Sequence, residues 1–468
     1  MTHVHFIGIG GSGLSAMARL LLENGEEVSG SDHQLTSAAK DVQAAGALVY
    51  IGHRPENILN AELVVRSSAI PDDNVEVQAA LAAGIPVYRR ADFLSKLLHG
   101  YRVIAIAGTH GKTTTTAMIA WMLTALRVDP SYIVGSVSLN LKNNAHAGQS
   151  DLFVIEADEY DRMFLGLNPW LAVVTNIEHD HPDCYPTGED FWQAFYAFVS
   201  RMVPDGILLA CLDDPGGERL LQQVNKEGRA ALSYGLERLP SNTGPDYYAL
   251  NLATNNLGGF SFDMYFGQWL EGYSVPMVRV ELQVPGRHNV SNALSAIAVA
   301  DLVGLPVLKA AKALSEFRGT DRRFEVRGEA NGVLVIDDYA HHPTEIKATL
   351  AAARARYPQR RIWSVWQPHT YSRTRTLFDQ FAGAFDDADT VLVTEVYAAR
   401  ETPPKDGFSA SQVVEAMSRP DVLFTPDISQ ATELLVDKLQ PGDVLLVLSA
   451  GDANQISTDV LLRMKEKT

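Results

Sequence analysis

The stretch Ile104-Ala-Ile-Ala-Gly-Thr-His-Gly-Lys-Thr-Thr-Thr-Thr116 decides how this chain is read. Val103 to Ala107 is a short apolar run with the character of a buried parallel strand. Gly108-Thr109-His110-Gly111 breaks it. Lys112 and four threonines then open a helix that continues through Ala117, Met118, Ile119 and Trp121. Strand, glycine turn and helix form the setting of a nucleotide phosphate loop, because backbone N–H groups and the helix N-terminus face the anionic oxygens and a lysine adds a full charge. Lys112 is expected at the terminal phosphates, and the Thr113 hydroxyl on Mg²⁺. The loop departs from G-x-x-x-x-G-K-[ST], since Ile106 stands where the first glycine falls and the glycine here is Gly108. The bland alternative is a tight turn with a solvated lysine. G-K-T-T at a strand–helix junction is specific enough to rank below it only rarely. ATP is the default nucleotide, since no guanine-reading signal is present.

Upstream, His5-Phe-Ile-Gly-Ile-Gly-Gly-Ser-Gly13 runs from a strand into a glycine turn and a helix. Gly8, Gly10 and Gly13 fit G-x-G-x-x-G, and Asp32 ends the next strand at the Rossmann distance. The pattern selects a diphosphate at a helix N-terminus, which NAD and a UDP-sugar both carry. Asp32 suits a ribose hydroxyl in either. Ser67-Ser-Ala-Ile70 follows a strand at the edge where such sheets bind ligands, and is equally readable as a plain polar loop.

Downstream, Asp151 to Asp161 is a buried strand ending in carboxylates. Glu156 is placed to complete a Mg²⁺ shell with Thr113 and phosphate oxygens, whereas Asp158 and Asp161 read as a solvated loop. The next strand ends in Asn176-Ile-Glu-His-Asp-His181, a second metal candidate; zinc with Cys184 is the alternative to Mg²⁺. Tyr247–Leu252, Gly259–Tyr265 and Val278–Val284 read as antiparallel strands. His288 or Asn289 is expected to cap the helix that follows, and Asn289 and Asn292 to lie near the nucleotide.

Beyond a basic linker, Phe317 to Phe324, strands and helices alternate again. Their tips carry Asp337-Asp-Tyr-Ala-His-His-Pro343, Gln367-Pro-His-Thr-Tyr-Ser-Arg373 and Ser449-Ala-Gly-Asp452. The expected fold class is α/β in three domains. These are a Rossmann-like domain at 1–98, a central P-loop ATPase at 99–314 with a parallel sheet plus a small antiparallel one, and a second Rossmann-like domain at 315–468.

The chain's 468 residues exceed one core. Its 56 acids against 39 bases give a net charge of −17, which excludes a nucleic-acid face. Two cysteines offer neither a disulfide framework nor a metal pair, so a reducing compartment is expected. No apolar run is long enough for a membrane span, and no signal peptide is evident.

Three α/β domains, one for a diphosphate ligand, one for ATP and one for a third reactant, resemble the Mur ligases, the cytoplasmic amide-forming enzymes of peptidoglycan synthesis. The likeness covers essentially the whole chain. It is carried by His5 to Gly13, Ser67-Ser-Ala-Ile70, Gly108-Thr-His-Gly-Lys-Thr-Thr114, Glu156-Ala-Asp-Glu-Tyr160 and Thr175-Asn-Ile-Glu178 with Asp180-His181. Further on it includes Gly286-Arg-His-Asn-Val-Ser-Asn292, Arg322-Arg-Phe324, and Asp337-Asp-Tyr339 with His341-His-Pro-Thr-Glu345. Within the family it is similar to the branch that joins L-alanine to UDP-N-acetylmuramate.

The resemblance implies that Gly108, Thr109, His110, Gly111, Lys112, Thr113 and Thr114 hold ATP, with Asn289, Asn292 and Arg323. It gives Thr113, Glu156 and His181 the Mg²⁺ ions, and it places Asp338 on nucleotide or metal. Tyr339, His341 and Arg373 would lie near the amino acid, with His341 a candidate base. Gly8, Gly10, Gly11, Ser12, Gly13, Asp32, Ser67 and Ser68 would hold the UDP-sugar. A monomer or homodimer is implied, with no membrane insertion. Two positions depart from the pattern: Ala340 stands where glycine is usual, and Thr370 where arginine is common. The competing readings are a ligase that adds a whole tripeptide to the same UDP-sugar, an NAD-linked oxidoreductase, and a silent UDP-sugar sensor.

Overall fold

Short apolar strands alternating with amphipathic helices build three α/β units. The computed structural model describes residues 2–236, 244–267 and 275–466. In the first unit, β1 (His3–Ile7), β2 (Glu27–Asp32), β3 (Leu48–Ile51), β4 (Leu63–Arg66) and β5 (Val87–Arg89) are parallel, in the order β3-β2-β1-β4-β5. The chain reverses across this sheet between β1 and β4, so the crevice at their carboxyl ends is the place for a ligand. Gly8 and Ser67 stand there in contact distance of one another.

The second unit contains β6 (Arg102–Ala107), β7 (Ser131–Ile133), β8 (Ala145–His146), β9 (Leu152–Glu156), β10 (Leu171–Val174), β11 (Ile207–Cys211), β12 (Ala231–Leu236), β13 (Tyr247–Thr254), β14 (Phe260–Phe266) and β15 (Val278–Glu281). They form one sheet in the order β15-β14-β13-β12-β11-β10-β6-β9-β7-β8. β13 is parallel to β12, and β14 and β15 continue antiparallel. The antiparallel strands expected near the end of this unit thus extend the parallel sheet and share its core. β6 has five buried residues in a row because helices cover both faces of a central parallel strand. It lies between β10 and β9, at the reversal of strand order, and its carboxyl end is the phosphate loop.

The third unit has β16 (Glu325–Ala330), β17 (Val333–Asp338), β18 (Ile362–Gln367), β19 (Thr390–Val393), β20 (Val422–Phe424) and β21 (Val444–Ser449), ordered β16-β17-β21-β18-β19-β20. Only β16 is antiparallel. Insertion of β21 between β17 and β18 brings the tips at Asp338, Gln367 and Ser449 side by side.

One expected local feature is absent. The helix Arg287–Leu302 has Gly286 at its N-cap position and no side-chain cap. Asn289 already lies inside the helix, and its amide donates back to the Pro285 carbonyl at 2.7 Å.

The first two units share one apolar core. Phe6, Leu14, Phe93 and Leu94 belong to the same packed cluster as Phe153, Phe164 and Phe195. Glu23 adds a polar clasp, accepting from the Ala147 N–H at 2.8 Å and lying 2.9 Å from His146. The third unit has cores of its own, one on each face of its sheet. Among the described residues no helix is long and apolar enough to cross a membrane.

Trp366 is fully buried on β18 and stacks on Phe381 with ring centroids 4.8 Å apart. Trp366→Ala is expected to cost the third unit about 3–5 kcal/mol of stability. Calorimetry would show its unfolding temperature falling; an unchanged transition would mean the ring carries no packing there.

Candidate active site

The phosphate loop is stapled to the tip of β10. His110 donates its N–H to Asn176 Oδ1 at 2.8 Å, and Thr109 donates its N–H to the Asn176 carbonyl at 3.1 Å. Thr175 Oγ1 donates to the His110 carbonyl at 2.6 Å. A Cβ at Gly108 would fall 1.9 Å from Thr175 Oγ1, and one at Gly111 2.8 Å from Asn292 Oδ1, with φ of +144° and +81°. Both positions therefore demand glycine.

Lys112 Nζ donates to the Gly108 carbonyl at 2.6 Å and to Glu159 at 2.8 Å. Burial opposes its charge, but Glu159 and then Glu156 outweigh burial and raise its pKa. Glu159 is likewise penalised by burial, yet Lys112 holds its carboxyl below the ordinary value. Sequence reasoning placed Glu159 only as one of several acids beyond the strand; its signal was position, since a buried lysine requires a nearby acid.

Thr113 Oγ1 donates to Glu156 Oε1 at 3.0 Å, and the Gly135 N–H donates to Glu156 Oε2 at 2.7 Å. Burial raises the Glu156 pKa. A half-buried carboxylate beside a hydroxyl is a hard-oxygen pair of the kind Mg²⁺ takes. His181 sits apart from that pair, with Nε2 3.5 Å from Glu159 and 3.8 Å from Asp180. The zinc alternative with Cys184 does not form. The grouping of His, Cys and acids close enough to share an ion among the described residues is His110, Glu178 and His342, and the Cys184 thiol instead meets Asp183. Asp158 is not simply solvated, because it lines the site and lies 3.9 Å from Arg90; Asp161 is exposed as expected.

Two cavities meet at Gly111, Thr113, Arg323 and Glu345. The first, about 740 Å³, is lined by His110, Thr114, Asn289, Asn292 and Asp338. Asn292 donates to Asn289 Oδ1 at 3.1 Å. Asp338 accepts from the Phe324 and Ala340 N–H groups, both at 2.8 Å, and burial pushes its pKa up to about 6. The second, about 860 Å³, is lined by Lys112, Glu156, His181, Tyr339, His341 and Arg373. Ser12 and Gly13 bring the N-terminal turn to it. Of the other N-terminal candidates, Gly8, Gly10 and Gly11 lie in the turn after β1 and Ser67 and Ser68 in the turn after β4, and none of them lines either cavity. Asp32, at the end of β2, braces the glycine turn after β1, accepting from the Gly10 N–H at 2.9 Å. Arg90, which sequence reasoning missed, lies over Gly13, where an added Cβ would meet its guanidinium at 2.2 Å.

His341 is neutral here. Burial lowers its pKa to about 3; Glu345 opposes this and Arg373 adds to it. Its Nδ1 lies 2.9 Å from the Tyr339 carbonyl, which fixes the proton on that nitrogen. Arg373 is buried and bound to Asp180 at 2.8 Å. His110 is charged: burial opposes protonation, but Glu178 at 3.0 Å and Glu345 at 3.3 Å raise its pKa to about 9.

Three family profiles divide the chain. They are described as Mur ligase family, catalytic domain, over residues 3–102; Mur ligase middle domain over 106–300; and Mur ligase, glutamate ligase domain over 322–451. The UDP-N-acetylmuramate–L-alanine ligase of Roseiflexus sp. (strain RS-1) is 43% identical over 99% of this chain and 100% of its own length. A UDP-N-acetylmuramate–alanine ligase structure from Thermotoga maritima matches with a TM-score of 0.81 and 27% identity, covering 100% of both chains. A murein peptide ligase from Psychrobacter arcticus matches with 0.71 and 26% identity, covering 99% of both.

The His110 pKa rises from 6.5 to about 9 on folding. Its charge therefore adds stability that is complete below pH 6.5 and is lost as pH climbs through about 9. The stability gap between the wild type and His110→Asn should narrow across that window, measured by thermal unfolding without nucleotide. A gap that does not depend on pH would show that His110 is neutral.

Proposed function

The chain belongs to the Mur ligase family, and we infer that its reaction joins L-alanine to the lactyl carboxylate of UDP-N-acetylmuramate, driven by ATP, in peptidoglycan precursor synthesis. The observation that supports the reading is the meeting of two cavities at the phosphate loop, which leaves room for a nucleotide and for the carboxylate it would phosphorylate on either side of Gly111 and Thr113. The dehydrogenase and silent-sensor readings fall with the family and with the intact Lys112, Thr113 and Glu156.

A carboxylate is a poor acyl donor, so the ATP γ-phosphoryl group passes first to an oxygen of the lactyl carboxylate, giving an acyl phosphate and releasing ADP. The L-alanine nitrogen attacks the acyl carbon, the carbon–oxygen bond to phosphate breaks, and the amine loses a proton. Lys112, fixed by Glu159, supplies positive charge where the phosphoryl group crosses between cavities. Thr113 and Glu156 would hold Mg²⁺, which offsets charge on the transferring group, with His181 at a separate position. Asn289, Asn292, Arg323 and Asp338 would surround the nucleotide. The N-terminal turns, from Gly8 to Gly13 with Ser67 and Ser68, would hold the UDP-sugar.

His341 is a weak proton acceptor at about 3, far from the range a general base needs. It suits a hydrogen bond from the incoming amine, with its Nε2 lone pair free by tautomer, better than it suits taking the proton to completion. A cytoplasmic location goes with this reading. The third unit's strand tips already stand at the phosphate loop, with Glu345 3.3 Å from His110, and parting of that unit from the other two would admit the substrates.

The test is phosphate release from ATP with UDP-N-acetylmuramate and each amine offered separately. L-alanine should support release, and Lys112→Ala should lower it by about 10²- to 10³-fold. Release with the tripeptide alone would move the assignment to the recycling ligase. Glu156→Gln is expected to raise the Mg²⁺ concentration for half-maximal rate by roughly tenfold or more; an unchanged requirement would remove Glu156 from the metal site.

A further inference from the structure

We infer that Arg400 recognises the carboxylate of the incoming amino acid. The inference rests on the L-alanine reading above.

One wall of the larger cavity is a continuous run of contacts. The Arg400 guanidinium lies 4.4 Å over the Tyr160 ring, and Tyr160 meets the His181 ring at 5.1 Å. His181 reaches Asp180 at 3.8 Å, Asp180 binds Arg373 at 2.8 Å, and Arg373 lies 3.2 Å from His369 Nδ1. His369 in turn faces His341, with centroids 6.0 Å apart. This wall holds the residues expected at the amine.

An α-amino acid brings an anion that needs a cation here, and most cations at the wall are already committed. Arg373 spends Nε and Nη2 on Asp180, at 2.8 and 3.2 Å, and Nη1 on the His369 carbonyl at 2.7 Å. Both partners are buried, so releasing Arg373 to a ligand would strand the Asp180 charge. Arg373 is thus a support for the wall. Arg322 donates Nη2 to the Ser449 carbonyl at 2.6 Å and the Gly451 carbonyl at 3.2 Å. Position 370 is a neutral threonine whose hydroxyl donates to Glu401 at 2.6 Å.

Arg400 differs from these. It lines the cavity, is exposed, and has no ion pair among the described residues. The adjacent Glu401 is turned onto Thr370 and onto the Ser372 N–H at 2.9 Å, so it does not neutralise its neighbour. Tyr160 is itself held, since its hydroxyl donates to Asp183 at 3.2 Å. A guanidinium 4.4 Å from the centroid of a held ring, with no acceptor of its own among the described residues, leaves N–H donors for a bidentate carboxylate.

Initial rates with L-alanine and with L-alaninamide, which lacks the anion, separate this role from a structural one. Arg400→Ala should raise KM for L-alanine by roughly 10- to 100-fold. It should leave KM for L-alaninamide, ATP and UDP-N-acetylmuramate within about twofold, and Arg400→Lys should recover part of the loss. An equal effect on both amines, or none on L-alanine, overturns the inference while the ligase reading stands. Failure of the wild type to use L-alanine overturns both.

Discussion

A lysine ammonium held away from bulk water is the constraint on which the rest of this molecule depends. Lys112 keeps its charge only because the Gly108 carbonyl and Glu159 surround it, and those groups converge only if the loop turns as tightly as it does. The tight turn in turn requires glycine at 108 and 111, where a side chain would strike Thr175 and Asn292. It also requires the tip of β10, whose Asn176 and Thr175 replace the backbone partners that the loop cannot give itself. Both ends of β6 thereby acquire a purpose: the apolar strand anchors the sheet, and its exit arranges a cation for phosphoryl oxygens.

The phosphate loop, the glycine turn after β1 and the strand tips were legible in the sequence because each is a local pattern. Residues within a few positions of one another fix a strand, a turn and a helix start. Most strands were placed close to their observed bounds for the same reason, whereas β7, β8, β11, β12, β16 and β20 were not anticipated. The partners of the functional side chains were far less legible. Glu159 for Lys112, Asp180 for Arg373, Arg90 over Gly13 and Glu345 against His110 are contacts between segments distant in the chain. No spacing rule reports them. The cap expected from His288 or Asn289 failed by a small shift of the helix start, which changes which amide faces outward.

The same distance dependence explains the histidines. Two of them, His110 and His341, both lie near Glu345, yet one is charged and one neutral. His110 has an acid on each ring nitrogen. His341 has a carbonyl on one nitrogen and the buried Arg373 charge nearby. Residue type alone assigns neither state.

The three units are joined by two different kinds of seam. Between the first and second, aromatic and aliphatic side chains interlock in one core, so separating them exposes oil to water and is strongly resisted. Between the second and third, the contacts singled out here are ion pairs and hydrogen bonds: His110 to Glu345, Thr344 to Glu178, Arg373 to Asp180. Such groups find partners in water when they part, so opening is far cheaper there. The polar seam between the second and third units is therefore the one that parts at lower cost. Across such a seam a ligand that touches both sides favours the joined arrangement by as much as it binds that arrangement better than the parted one.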